Sequence, residues 1–260
     1  MKNRIMEELK RIEEEEKVKV LYAVEAGSRA WGYHTDRSDF DVRFIYIREV
    51  KAYLNLQETS DVIETCTHQG LECSGWDLKK ALKLLRKSNP SLLEWLTPEN
   101  IYWEHSSIEK IRKMRDIAFS PDRCIIHYFH MTKRNFEKRS KDGAAIPKEW
   151  MTIIRPWLSY QWIIKYRTFP PNEIFRMLEH LPINGETKDT LIFLITSRVE
   201  ERKVSDSFMK NLEVSIHHDV VKMEELVEGL IINEADLWDE LNQTFFSMLK
   251  EVWGGAKPEW

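Results

Sequence analysis

The chain has 260 residues, 42% of them hydrophobic and 32% charged, with 10 Trp, a balance that excludes a disordered chain and allows a sizeable core. Its formal net charge is −4, so no global basic field draws it to nucleic acid, and any such binding has to come from a local patch. Cys66, Cys73 and Cys124 lie far apart without Cys-x-x-Cys spacing, which argues against a disulfide framework and a zinc site. The N-terminus is too charged for a signal peptide, and no apolar run approaches the ~20 residues that span a bilayer, so the chain reads as soluble and cytoplasmic.

Residues 2–16 place Ile5, Met6, Leu9 and Ile12 at helical spacing opposite a run of glutamates, the pattern of a helix laid on a sheet. Val18–Val24 is mostly apolar and β-branched, as a strand inside a sheet is. A small-residue turn, Gly27-Ser28, follows it, and a second strand over Phe40–Ile47 carries Asp39 and Asp41 at its start. Strand side chains alternate, so Asp39 and Asp41 project from one face about 7 Å apart, and Arg43 shares that face. Two carboxylates so placed offer the oxygen ligands that suit Mg²⁺. The backbone N–H groups and hydroxyl of Gly27-Ser28, one strand away, suit phosphate oxygens. Arg29 is either a triphosphate contact or an ordinary surface arginine. Arg43 either neutralises phosphate or pairs with one of the carboxylates. His34 reads as a solvated loop residue, and Ser38 as a turn former.

Val50–Thr59 has no clear pattern. Asp61–Thr67 reads as a third strand, His68-Gln69-Gly70 as a hairpin turn, and Leu71–Trp76 as the returning fourth strand. Glu72 then places a charge inside the sheet, which is costly unless the group is paired or bound to metal. Asp77 precedes an amphipathic helix over 78–85, where the simpler role of an Asp is an N-cap. That helix has a basic face (Lys79, Lys80, Lys83, Arg86, Lys87) and ends at Ser88-Asn89-Pro90. A helical turn over 91–96, a short edge strand at 101–103 and a helix over 106–114 follow.

From Pro121 onward the pattern is helical. Residues 121–140 hold a basic stretch that runs from Arg123 to Lys141, 142–147 form a loop, and 148–167 form an aromatic-rich helix that Pro156 bends or restarts. Further helices are expected over 172–180, 186–203, 205–214, 219–231 and 235–252. The expected class is α+β: a mixed sheet flanked by helices in residues 1–117, then an all-helical domain in 118–260.

The Gly-Ser turn after a first strand, followed by Asp-x-Asp on the next, resembles the nucleotidyltransferase superfamily of the DNA polymerase β type. The longer strings GSRAWGYHTDRSDFDVRFIY and SGWDLKKALKLLRKSNPSLLEWL are similar to a narrower bacterial and phage group, the YcgL-like or RNA-ligase-associated nucleotidyltransferases. The match is close over the first half and loose over the helical remainder. The resemblance implies a nucleotidyltransferase-type sheet, a helical part that closes over the nucleotide, and Mg²⁺ (or Mn²⁺) as cofactor. It implies that Gly27 and Ser28 hold phosphates, that Asp39 and Asp41 bind the metals, and that a third carboxylate comes from a neighbouring strand. Glu72 is the candidate for that carboxylate and Asp77 its rival. Lys133 and Arg155 are candidates to contact triphosphate or base, with surface salt bridging as the alternative. The reaction implied is transfer of an NMP from an NTP to an acceptor hydroxyl. Association with RNA ligases points to an RNA or tRNA end. A nucleotide- or RNA-binding module without turnover is the alternative from another class.

Overall fold

The computed structural model describes residues 1–67, 70–97, 99–139, 146–230, 232 and 236–254. His68 and Gln69 of the expected hairpin turn, and Lys141 of the basic stretch, lie outside the described residues. The chain forms two compact units, the first of Met1–Ala30, Asp39–Phe119 and Glu234–Trp260, the second of Trp31–Ser38 and Ser120–Asn233.

The first unit follows the order α1 (Lys2–Glu16), β1 (Val18–Ala26), α2 (Gly27–Trp31), β2 (Phe40–Arg48), α3 (Val50–Leu54), β3 (Val62–Thr67), β4 (Leu71–Asp77), α4 (Leu78–Arg86), α5 (Pro90–Trp95), β5 (Ile101–Glu104) and α6 (Ile108–Ala118). The strands form one mixed sheet in the order β3-β4-β2-β1-β5. Among the described residues only β2 and β4 run parallel, because β4, antiparallel to β3, lies beside β2 in the direction in which β2 itself runs.

Alternation assigns the two faces. Val42, Phe44, Tyr46, Leu71 and Cys73 are buried in one cluster with Ile5, Leu9 and Ile12 of α1, whose apolar stripe was visible as helical spacing. On the opposite face the register breaks the cover in two. Ile45 and Ile47 are fully buried, on the side of the sheet where α4 packs against β2 and β4 and α5 against β1. Further along the same face Asp41, Arg43 and Ser74 are only half-buried and Glu72 is exposed. The sheet thus has one open corner, and it is polar.

A bulge between Val20 and Tyr22 resets the alternation of β1. Beyond it, Ala26 stands opposite Asp41 on the open face, and Glu25 stands opposite Val42 on the face that α1 covers.

The second unit contains α7 (Pro121–Lys138), α8 (Pro147–Tyr166), α9 (Ile174–His180), α10 (Gly185–Val199) and α11 (Asp206–Glu228). α8 runs through Pro156 without restarting. A proline leaves the carbonyl four residues earlier without its donor, and here the Asn135 side-chain amide bonds the Thr152 carbonyl at 2.8 Å. The two helices expected over 205–214 and 219–231 are one, since Ser215-Ile216-His217-His218 holds no breaker and Ile216 is buried. α12 (Trp238–Trp253) packs on α4 and α6 of the first unit, where Lys110 bonds Glu251 at 2.6 Å and Arg86 lies 4.4 Å from the Trp238 ring centre. Among the described residues no helix is long and apolar enough to cross a membrane.

Gly75 stands opposite Phe44 in the β2–β4 ladder, and a Cβ there would overlap the fully buried Phe44 ring. Gly75→Ala is expected to cost about 1–3 kcal/mol through overpacking, read as a lowered urea midpoint at unchanged m-value.

Candidate active site

β1 ends where Gly27 takes a left-handed φ of 62° and α2 begins at once, so the expected turn is the first residue of a short helix. This backbone turn brings the Gly27 Cα against the Asp41 carboxylate so closely that a Cβ would overlap Oδ2. The left-handed φ and the close approach both demand glycine. Asp41 stands opposite Ala26 on one side and Glu72 on the other, and aligned residues of paired strands share a face. Asp39 lies just before β2, exposed, where its Oδ1 is 3.0 Å from the position of a Cβ on Gly70. Asp41 and Glu72 therefore share the open corner of the sheet, with Gly27 against Asp41 and Asp39 just before the same strand.

Glu72 belongs to that corner for a reason other than the one its sequence position suggested. It is exposed, not a charge buried within the sheet. Asp77, five positions along β4, is buried and acts as the N-cap of α4: it accepts from the Lys79 N–H at 2.8 Å and from the Tyr53 hydroxyl at 2.9 Å.

Arg43 reaches Asp41 Oδ1 at 3.5 Å, with both side chains about a quarter exposed (27% and 25%), which is a long and weak pairing. Arg29 lies over the Phe40 ring, 3.8 Å from its centre, and donates through Nε to the Asp39 carbonyl at 3.2 Å, so it braces the entry to β2. In the second unit, Arg155 is buried on the face of Trp31, 4.3 Å from the ring centre. Lys133 is held in an ion pair by Glu224 of α11. Within the basic stretch Arg139 also pairs with a carboxylate, Glu213 at 3.0 Å, so part of that charge is neutralised inside the unit.

The fit of a divalent cation can be tested on the side chains. Asp39, Asp41 and Glu72 present only carboxylate oxygens, the donors that Mg²⁺ and Mn²⁺ prefer. Among the described residues no three His, Cys, Asp or Glu side chains already converge as an ion-binding cluster. The donor chemistry fits, and the long Arg43 contact leaves Asp41 able to turn to an ion.

One group at this corner had no motif to announce it. Glu25 is 4% exposed, and its Oε1 accepts the Asp41 N–H at 3.0 Å while its Oε2 accepts the Tyr102 hydroxyl. Burial pushes its carboxyl above the usual carboxylate range, opposed by those two hydrogen bonds and by the nearby Arg29 charge. A charged residue directly after the apolar run Val20 to Val24 was the available sign.

Comparison with known proteins bears on this corner. The profile of the RNA repair pathway DNA polymerase beta family, RlaP, matches residues 1–247. The chain is 36% identical to the protein YcgL of Bacillus subtilis (strain 168) over 264 residues, which covers 98% of this chain and all of that one. A crystal structure of a nucleotidyltransferase-like protein from Exiguobacterium sibiricum 255-15 aligns over 95% of this chain and 80% of its own, at 14% identity and a TM-score of 0.33, a loose superposition.

Burial also raises the Asp77 carboxyl above its ordinary value of 3.8, against the Lys79 and Tyr53 hydrogen bonds. The folded chain then binds this proton more tightly than the unfolded one, so the contribution of Asp77 to stability falls as pH rises upward from 3.8. Asp77→Asn keeps an acceptor for the Lys79 N–H and removes the titration. Urea unfolding between about pH 4 and 7 is expected to show a flatter stability profile for the variant than for the wild type.

Proposed function

The chain belongs to the RNA repair pathway DNA polymerase beta family, and we propose that it is a metal-dependent nucleotidyltransferase that moves an NMP from an NTP to an acceptor hydroxyl. The observation that carries this reading is the closeness of Gly27 to the Asp41 carboxylate, with Glu72 aligned beside Asp41 at an open, polar corner. A site that only packs against its neighbours has no need of two aligned carboxylates, Asp41 and Glu72, on an uncovered part of a sheet face, where their mutual repulsion is a cost.

In this reading the Gly27 and Ser28 backbone N–H groups and the Ser28 hydroxyl receive the β- and γ-phosphates, and Arg29 and Arg43 offset their charge. Mg²⁺ or Mn²⁺ on Asp39, Asp41 and Glu72 would lower the pKa of the attacking hydroxyl and neutralise the departing pyrophosphate. The acceptor oxygen bonds to the α-phosphorus, the bond from that phosphorus to the α,β-bridging oxygen breaks, and pyrophosphate leaves. The hydroxyl proton passes to a carboxylate or to water. The protein's own contribution is positioning and charge compensation rather than proton transfer through a histidine.

An RNA end as acceptor has support of its own. The second unit carries a cleft of about 430 Å³ lined by Lys148, Arg198, Arg202 and Lys203, with one carboxylate, Glu201, that Arg37 approaches at 3.3 Å. Arg202 is met by Glu200, and Lys148, Arg198 and Lys203 around the same recess form the kind of local patch that phosphate backbones recognise.

Incubation with labelled NTPs, Mg²⁺ or Mn²⁺ and bulk tRNA should transfer label, and EDTA should stop it. Asp41→Asn and Glu72→Gln are expected to lose about 10²-fold or more of kcat at retained fold, whereas Asp77→Asn stays near wild type. Binding of NTP without transfer to any acceptor tried would replace the enzyme with a binding module. Charge reversal at Lys148 and Arg198 is expected to weaken RNA binding and lower the slope of log K against log salt by about 0.7 for each phosphate that is no longer neutralised. Unchanged salt dependence would remove the cleft from the reading.

A further inference from the structure

We propose that Glu25 is a positioning residue that fixes the backbone of Asp41, and with it the carboxylate that faces Gly27. The inference rests on the reading of Asp41 as a metal ligand and adds to it a group that neither touches the metal nor lies on the open face.

Successive N–H groups of a strand point to opposite sides, and this fixes where the Asp41 N–H is directed. The Phe40 N–H donates to the Gly70 carbonyl at 2.8 Å on the β4 side, so the next one, from Asp41, points toward β1. There β1 ends: Ala26, opposite Asp41, is its last residue, and the chain turns into α2 at Gly27. At this last rung the Asp41 N–H donates to a side chain, Glu25 Oε1, at 3.0 Å.

Glu25 is itself held from three directions. Tyr102 of β5 donates its hydroxyl to Oε2, the Glu25 backbone N–H donates to the Asn100 carbonyl at 3.0 Å, and α1 covers the face on which the side chain lies. Arg29 contributes positive charge nearby, and the same arginine donates to the Asp39 carbonyl at 3.2 Å. Asp39 and Asp41 are thus each gripped by their backbone, one by Arg29 and the other by Glu25, which leaves both carboxylates out of these contacts.

Burying a carboxylate is expensive unless its oxygens are satisfied, and a buried one trained on a single peptide N–H specifies geometry as much as stability. Supporting groups of this kind around metal ligands hold the ligand in its productive orientation, and their loss costs about 10–100-fold in metal affinity or activity.

The test uses the full chain with Glu25→Ala, Glu25→Gln and Tyr102→Phe, checked for fold by circular dichroism. The readouts are Mn²⁺ affinity by electron paramagnetic resonance, kcat and KM for nucleotidyl transfer, and hydrogen exchange of the Asp41 amide by NMR. Glu25→Ala is expected to weaken Mn²⁺ binding and lower kcat by about 10–100-fold at nearly unchanged KM, and to speed Asp41 amide exchange. Glu25→Gln, whose amide oxygen still accepts the Asp41 N–H, should recover most of the loss. Tyr102→Phe removes only the second anchor and serves if Glu25→Ala does not fold; its expected loss is about 3–10-fold, below the range for a group that bonds the ligand residue directly. Wild-type Mn²⁺ affinity and kcat in Glu25→Ala would overturn the inference. So would a glutamine variant as impaired as the alanine one, because the charge rather than the hydrogen bond would then be required. A wild type that neither binds Mn²⁺ nor transfers label would instead sink the proposed function. The Asp41 amide would then decide alone whether Glu25 holds that strand end, with unchanged exchange in Glu25→Ala refuting it.

Discussion

Everything at the polar corner depends on how near a carboxylate can come to a peptide backbone. Asp41 reaches Gly27 because Gly27 has no side chain and accepts a φ of 62°, a conformation that costs an L-residue about 1 kcal/mol or more. That one contact brings the end of β1, the start of α2 and the start of β2 to a common point.

The corner stays open because the helices on that face cover only part of the sheet. The α1 stripe spans the other face of β1, β2 and β4 with a continuous apolar cluster, which anchors the strands firmly. On the opposite face burial reaches Ile45 and Ile47 and then stops, so Arg43, Asp41 and Glu72 meet solvent from strands whose other sides are packed. Glu25 belongs to the packed side and acts across the thickness of the sheet, by way of a peptide N–H rather than a side-chain contact.

The second unit shows how charge read along a chain differs from charge displayed at a surface. The stretch from Arg123 looked basic in sequence, yet Lys133 and Arg139 are met by Glu224 and Glu213 of α11. The cations around the 430 Å³ cleft, of which Arg202 is itself met by Glu200, come instead from the start of α8 and the segment at and after the end of α10, positions too far apart in sequence to register as a patch. Pro156 teaches a similar lesson. A proline reads as a break, but its consequence depends on whether another donor reaches the abandoned carbonyl, and Asn135 of α7 does.

Local pattern was enough to read most of the helices and strands, the α+β class and the acid-bearing strand, because 3.6- and 2-residue periodicities and capping residues act over a few neighbours. The cap role of Asp77 was legible for the same reason: an N-cap bonds the residue two positions on. What the linear chain could not disclose were distances between residues remote in sequence. The alignment of Asp41 with Glu72 needs strand order, the placement of Glu25 beneath Asp41 needs the β1 bulge that resets its alternation, and the exposure of Glu72 needs to know where the covering helices stop. These are set by packing among separate elements, and only the folded sheet supplies them.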